Sequence, residues 1–151
     1  MPALIRWCTR DEKEAPTVIS HVGIMVSETE IVESKTRTVQ HPFTPPATNC
    51  WVYRKNLTLE QQDIIVAKAK EYVGNSYGWL KILAHAADHL LFRDYYVMRR
   101  LCRFDKYPIC SWVVAYAYAK IGYQFKGPPW ACTPDDIWDT VTTQSDWHTV
   151  L

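Results

Sequence analysis

Two residues that are far apart in the sequence have the types needed for thiol chemistry. His21 stands at the start of the β-branched run SHVGIMV at 20 to 26, which predicts a strand. Cys110 stands at the first turn of PICSWVVAYAYAKIG at 108 to 122, which predicts a helix. Unpaired N–H groups and the helix dipole at such a position favour thiolate over thiol. A thiolate beside an imidazole is a nucleophile with its base, so we expect the two side chains to meet.

The elements that must position these residues are predicted as strands first, then helices, then a short final strand. Segments 21 to 26, 30 to 34 and 49 to 54 are β-branched or aromatic and favour an antiparallel meander. Between the second and third segments, the prolines of TVQHPFTPPATN predict a rigid loop. Residues 147 to 150 predict an edge strand.

Two of the predicted helices carry clear start signals. Thr58 is an N-cap candidate with Gln61 three residues later, and the helical pattern that follows ends at Gly74. Thr133 is an N-cap candidate with Pro134 at the first helical position.

Two further helices are predicted from their apolar residues. Residues 78 to 91 have an apolar stripe, and Cys110 to Ile121 is apolar almost throughout, so we expect the latter helix to be buried and to end at Gly122. The predicted stripe consists of Trp79, Ile82, Leu83, Ala86 and Leu90.

Composition and charge are those of one ordinary folded domain. The 151 residues are 48% hydrophobic, which suits a single α+β domain spanning residues 1 to 151. A net charge of +1 gives no electrostatic reason to expect nucleic acid or an anionic membrane as partner. No apolar run reaches the roughly 20 residues of a membrane-spanning helix, and the amino terminus lacks the apolar core of a signal peptide. We therefore expect a soluble, cytoplasmic protein by default, or one delivered by a phage or a secretion system.

The cysteines and histidines do not form a metal-binding pattern. The five cysteines are odd in number, irregularly spaced and without a C-x-x-C pair, which favours reduced thiols. His85 and His89 are four residues apart, but they lack the glutamate of the H-E-x-x-H motif and an evident third ligand. We expect them to be surface histidines, and we expect neither a metal nor a cofactor.

The order of these motifs resembles a known family. The chain has SHVGI in an early strand, a polar residue one strand later, a Tyr-Gly-aromatic segment, a Cys-Ser helix start and a late TPDDIWD. Together these motifs, from about Leu4 to Trp138, resemble the circularly permuted branch of the NlpC-type papain-like hydrolases, the YiiX and YaeF-like proteins. The resemblance implies a permuted papain-like fold in which an antiparallel sheet packs against a helical subdomain that carries the nucleophile.

The resemblance also assigns roles to individual residues. It makes Cys110 the nucleophile, His21 the general base and Glu33 the group that orients the imidazole. Tyr77 matches a tyrosine near the oxyanion site, although Tyr107 is also close to the cysteine in sequence. The backbone N–H of Cys110 is the other expected oxyanion donor.

The chain departs from the family pattern after the nucleophile, where Trp112 follows Cys-Ser in place of glutamate. This substitution changes the expected wall of the substrate pocket. The basic and aromatic segment 92 to 107 is then either a recognition insert, with Arg99 and Arg100 binding an acidic or acylated peptide, or a solvated basic face. On the first interpretation, Trp112 and Tyr107 also contact the substrate.

Three functions are consistent with the sequence. The first is a thiol amidase or peptidase that forms a thioester intermediate and acts on a peptide, for example a peptidoglycan peptide. The second uses the same site on lipids or other esters, as an acyl hydrolase or acyltransferase, and the third is a binding module without catalysis.

Overall fold

The computed structural model describes residues 19–46, 49–92, 97–104 and 106–151. The amino-terminal segment, which was predicted to lack the apolar core of a signal peptide, lies outside these residues. Cys8 and the start of the family resemblance lie outside them too. The strands are β1 Gly23–Met25, β2 Glu30–Ser34, β3 Thr38–Pro42, β4 Tyr53–Lys55 and β5 Trp147–Thr149. The helices are α1 Leu59–Glu71, α2 Trp79–Ala87, α3 Val97–Leu101, α4 Cys110–Ala119 and α5 Pro134–Thr143, and a π-helical turn at Asp88–Phe92 extends α2. The chain is thus mixed α+β with small antiparallel sheets, as the sequence predicted at the level of fold class.

The predicted antiparallel meander is present, but its third strand is a different segment from the predicted one. Strands β1, β2 and β3 form an antiparallel sheet in that order. The third strand, Thr38–Pro42, comes from the segment that was predicted to be a proline-rich loop, and the prediction of 49 to 54 in this place is wrong. Pro42 is tolerated because it ends an edge strand, where a missing N–H disrupts little of the ladder. Strand β4 pairs instead with β5 in a separate two-stranded sheet.

Helix α4 is buried, as its composition predicted. Its side chains Val113, Ala115 and Ala117 are almost fully inaccessible to solvent, and it packs against α1, α5, β1 and β2. The chain turns away after the helix at Gly122, whose φ of 77° lies in the left-handed region that favours glycine. Because α4 contacts both β1 and β2, its first residue is placed at the sheet that carries the predicted base.

The ends of α1 and α5 also follow the sequence signals. Thr58 and Gln61 form a reciprocal capping box at α1. Thr133 and Asp136 form a second capping box at α5, with Pro134 at its first turn. Each box pairs N–H groups that would otherwise be unsatisfied at a helix start.

Helix α2 turns a different face to the core from the one predicted. Leu83 and Leu90 of the predicted stripe are each 63% exposed, whereas Lys81 and His85 are buried. The polar side chains are covered by α3 and by the segment that leads to α4, so tertiary contacts override the apolar periodicity. No helix among the described residues is long and apolar enough to cross a membrane.

Candidate active site

The pairing of β1 with β2 brings the predicted base next to the predicted orienting carboxylate. Gly23 lies opposite Glu33 in the register, and His21 stands two residues before Gly23. The His21 Nε2 atom is 2.7 Å from Glu33 Oε2. With Nε2 engaged by the carboxylate, Nδ1 is the ring nitrogen left for the nucleophile. The strand register therefore fixes both the position and the orientation of the imidazole.

Glu33 has two further basic partners that the sequence did not indicate. Lys35 Nζ lies 2.6 Å and His41 Nε2 lies 2.9 Å from Glu33 Oε1. Glu33 itself is only 7% exposed. His41 was missed because its segment was predicted to be a loop, whereas β3 places it beside β2, opposite Ile31. The three basic groups hold the pKa of the Glu33 carboxyl far below its usual range, with the His21 hydrogen bond the largest cause.

Cys110 meets His21 at the start of α4. The imidazole of His21 and the backbone N–H groups of Val22 and Ser111 lie close enough to the Cys110 sulfur to change its pKa. Cys110 is 2% exposed, while one third of the His21 side chain, 33%, is exposed. Solvent therefore reaches this site beside the imidazole.

The contact between thiol and imidazole shifts both pKa values toward the charged pair. Burial alone would raise the pKa of Cys110, but the hydrogen bond and charge of His21, with the two backbone N–H groups, lower it below its ordinary value. Burial alone would lower the pKa of His21, but the hydrogen bonds to Cys110 and Glu33 raise it to about 9. Both shifts favour the thiolate–imidazolium pair over the neutral pair.

Tyr77 completes the site on the other side of the sulfur. Its hydroxyl contacts both the side chain and the backbone N–H of Cys110. Burial and the negative charge of Cys110 raise the pKa of Tyr77, so the phenol stays protonated and keeps a donor. Two donors, the phenol and the Cys110 N–H, can therefore converge on an oxygen bound next to the sulfur.

Short backbone contacts hold Tyr77 and Cys110 together. The N–H of Tyr77 donates to the carbonyl of Thr36 at 3.2 Å, and the N–H of Gly78 donates to the carbonyl of Pro108 at 3.1 Å. The Ser34 hydroxyl also donates to the Pro108 carbonyl, at 3.3 Å. The β2–β3 turn, the Tyr77 loop and the entry to α4 therefore form one connected unit.

The four residues predicted to bind substrate differ in their exposure to solvent. Tyr107 is 46% exposed and Arg100 is exposed, so both are accessible. Trp112 is 1% exposed and packs beneath Lys81, whose Nζ is 3.7 Å from its ring centroid. Arg99 is 7% exposed and donates from Nη1 to the carbonyl of Ala131 at 3.2 Å. Core contacts therefore occupy both Trp112 and Arg99, and their assignment to substrate binding stays a prediction.

The predicted surface position of His85 is wrong. The sequence placed it on the surface, but it is 2% exposed, and neither ring nitrogen has a hydrogen-bond partner within the described part of the chain. Burial, followed by the charges of Arg99 and Lys81, lowers its pKa, so it is neutral in the folded protein. His85 is therefore part of the packing beneath α2, and no cluster of three metal-binding side chains occurs among the described residues.

An open apolar cavity of about 300 Å³ adjoins the site. Tyr77 belongs to both: its ring lines the cavity, and its hydroxyl contacts Cys110. The other lining residues come from the start of α2 and from the segment before α4; they are Gly78, Trp79, Leu80, Lys81, Cys102, Phe104 and Tyr107.

Comparison with known proteins finds no relative of this chain. No family model, curated protein or solved structure matches the chain. The site is therefore interpreted from its own contacts: a buried cysteine with a lowered pKa, an imidazole that a carboxylate holds in place, and a phenol beside the Cys110 N–H. Such an arrangement can perform nucleophilic attack on a carbonyl carbon.

Changing Glu33 to glutamine should reduce turnover without unfolding the protein. Glutamine keeps a hydrogen-bond acceptor for His21 but loses the charge that stabilises imidazolium, so the pKa of His21 should fall below 9. We expect a smaller loss of activity than for Cys110→Ala, together with a shift of the alkaline limb of the pH–rate profile to lower pH. Glu30→Gln is the matched control, because Glu30 lies on the same strand and contacts Gln40. Equal effects of the two changes would mean that Glu33 does not position His21.

Proposed function

We propose that this chain is a cysteine hydrolase that uses Cys110, His21 and Glu33 on a carbonyl substrate. The observation that carries the proposal is the position of His21, which is hydrogen-bonded to Glu33 at 2.7 Å and interacts with the Cys110 thiol. Its order of nucleophile, base and orienting carboxylate is the arrangement that activates a cysteine for acyl transfer. The site stands at a helix start, which adds stabilisation for the thiolate.

The contacts define a role for each group in the reaction. The Cys110 sulfur attacks the carbonyl carbon, and the Cys110 N–H and the Tyr77 hydroxyl stabilise the negative oxygen that forms. His21 then gives its Nδ1 proton to the leaving amine or alcohol as the bond to carbon breaks, leaving an acyl-thioester. In the second half, His21 takes a proton from water as the water attacks the thioester, and the acid product leaves as the Cys110 sulfur is released.

The chain order supports a permuted papain-like fold for this domain. The histidine strand precedes the cysteine helix, as in the permuted NlpC-type proteins that the sequence resembles. This resemblance favours an amide substrate such as a peptide or muropeptide. The thiolate–imidazolium pair suits amide cleavage because it supplies both a nucleophile and an acid for the leaving nitrogen.

Ester hydrolysis or acyl transfer is the second candidate. The observation in its favour is the apolar cavity beside Tyr77, where the ammonium group of Lys81 already donates to the carbonyl of Phe104. The chemical steps at Cys110 are the same, and only the leaving group or the acceptor differs. Product analysis therefore separates the two candidates.

The acyl-enzyme provides a direct test of the proposal. Incubation with a small ester or a muropeptide, followed by acid quenching and mass spectrometry, should show an acyl group on Cys110. Cys110→Ala should abolish both adduct and turnover, and Cys50→Ala, which removes a partly exposed thiol, should retain them. An adduct on Cys50 or Cys102 instead of Cys110 contradicts the proposal. Complete absence of adduct and product with both amide and ester substrates would favour a non-catalytic binding module.

A further inference from the structure

The apolar cavity and the candidate active site share one residue, Tyr77. One wall of the cavity is Tyr77, whose hydroxyl reaches the Cys110 side chain and N–H. Another wall is Tyr107, which is followed by Pro108, Ile109 and the nucleophile. A substrate whose carbonyl lies beside the Tyr77 hydroxyl can therefore extend along Tyr77 into the cavity.

The cavity is small, and its surface is mostly hydrocarbon. A volume of about 300 Å³ is at the lower end for ligand sites, which suits one chain or ring better than a folded peptide. Lys81 contributes its methylene stem, because its ammonium group donates to the carbonyl of Phe104 at 2.5 Å and lies over the ring of Trp112. Trp79, Leu80 and Phe104 supply further apolar surface.

Apolar surface continues beyond the cavity along α2. Leu80 and Leu83 are each 63% exposed, one helical turn apart. Leu101 and Phe104, on the segment that closes the cavity, are 66% and 60% exposed. These residues extend the apolar surface that a ligand in the cavity can contact, and large exposed apolar patches often mark ligand sites.

We propose that the substrate carries an aliphatic acyl chain and that this cavity binds the part of the chain next to the scissile carbonyl. The inference rests on the proposed function, since it names the substrate class of the same site. The exposed leucines of α2 then cover the more distant part of a longer chain. An aromatic ring would fill the cavity but leave that leucine surface unused, so an aliphatic chain accounts for more of the observed apolar area.

The dependence of turnover on the length of the substrate's acyl chain tests this inference. With p-nitrophenyl acetate, butyrate and octanoate below their micelle concentrations, kcat/KM should rise by up to about fourfold for each methylene that enters the cavity. Leu80→Asp places a charge at the cavity wall and should flatten this dependence. Leu59→Asp is the matched control, because Leu59 is a 79% exposed leucine at the start of α1. Rates that are independent of chain length, a preference for the phenylacetyl ester over octanoate, or equal loss in both aspartate variants would overturn the inference.

A binding measurement separates this inference from the proposed reaction. Calorimetry of the Cys110→Ala protein with N-octanoylglycine should show binding that is lost when Leu80→Asp is added and retained with Leu59→Asp. If this probe binds but the native protein turns over no ester or amide, the chain site stands and the proposed reaction fails. If short esters and amides are hydrolysed but the probe does not bind, the reaction stands and the chain site is wrong.

Discussion

Replacing His21 with alanine should lower turnover by about 10³-fold or more. The change removes the imidazolium that lowers the pKa of Cys110, whereas the burial that raises it remains. The thiol should therefore be largely protonated at neutral pH, and no group would remain to protonate the leaving amine. Catalysis needs both the lowered pKa of Cys110 and an acid for the leaving amine. Turnover should therefore fall further than it would on the loss of a single hydrogen bond.

The pH dependence of thiol alkylation and of turnover measures this effect directly. In the native protein, iodoacetamide should label Cys110 well below pH 9, because its pKa is lowered. Turnover should fall as the pH rises through about 9, because His21 then loses the proton it must donate. In His21→Ala, labelling at neutral pH should slow at least about tenfold, which corresponds to a pKa rise of one unit or more. His41→Ala is the control, since His41 contacts Glu33 on its other oxygen, and unchanged labelling in His21→Ala would disprove the pairing.

Replacing Gly78 with alanine should destabilise the fold and disrupt the site together. A Cβ atom at Gly78 would collide with the backbone carbonyl oxygen of Tyr107, and a backbone atom cannot move aside as a flexible side chain can. Overpacking of this kind costs about 1–3 kcal/mol in the free energy of unfolding. The displaced segment leads directly to Pro108 and Cys110, so we expect slower turnover in the folded fraction as well.

Gly127→Ala is the matched control for this substitution. A Cβ atom at Gly127 has no heavy atom within 4 Å, so its effect on unfolding should be within about 0.5 kcal/mol. Chemical denaturation of the two variants, with activity measured in the absence of denaturant, gives both quantities. Equal stability of the two variants would show that the chain before Cys110 moves freely, contrary to the described packing.

Features set by local residues could be predicted from the sequence. The capping boxes at Thr58 and Thr133 involve groups within three residues of each other, so the chain itself determines them. The burial of α4 also follows from its composition, because a helix with so few polar residues has no face suited to water. The contact between His21 and Glu33 required only that their two strands be neighbours.

Features set by distant contacts could not be predicted in this way. Nothing near Tyr53 shows that its strand pairs with Thr149, so β4 was assigned to the wrong sheet. The buried positions of His85 and Arg99 depend on the packing of α2 and α3 against each other, which no periodicity in either segment encodes. Lys81 is another such case, since its Phe104 and Trp112 contacts come from elsewhere in the chain.

The separation of His21 from Cys110 along the chain has a consequence for folding. The two residues meet only when α4 docks on β1 and β2, a non-local step whose loop-closure entropy delays it relative to local helix formation. Before that step, the sulfur lacks the imidazole and the Val22 N–H that stabilise its anion. A nascent or partly unfolded chain therefore carries an ordinary, weakly reactive thiol. The reactivity of Cys110 is thus acquired together with the tertiary structure and can serve as a chemical reporter of when folding is complete.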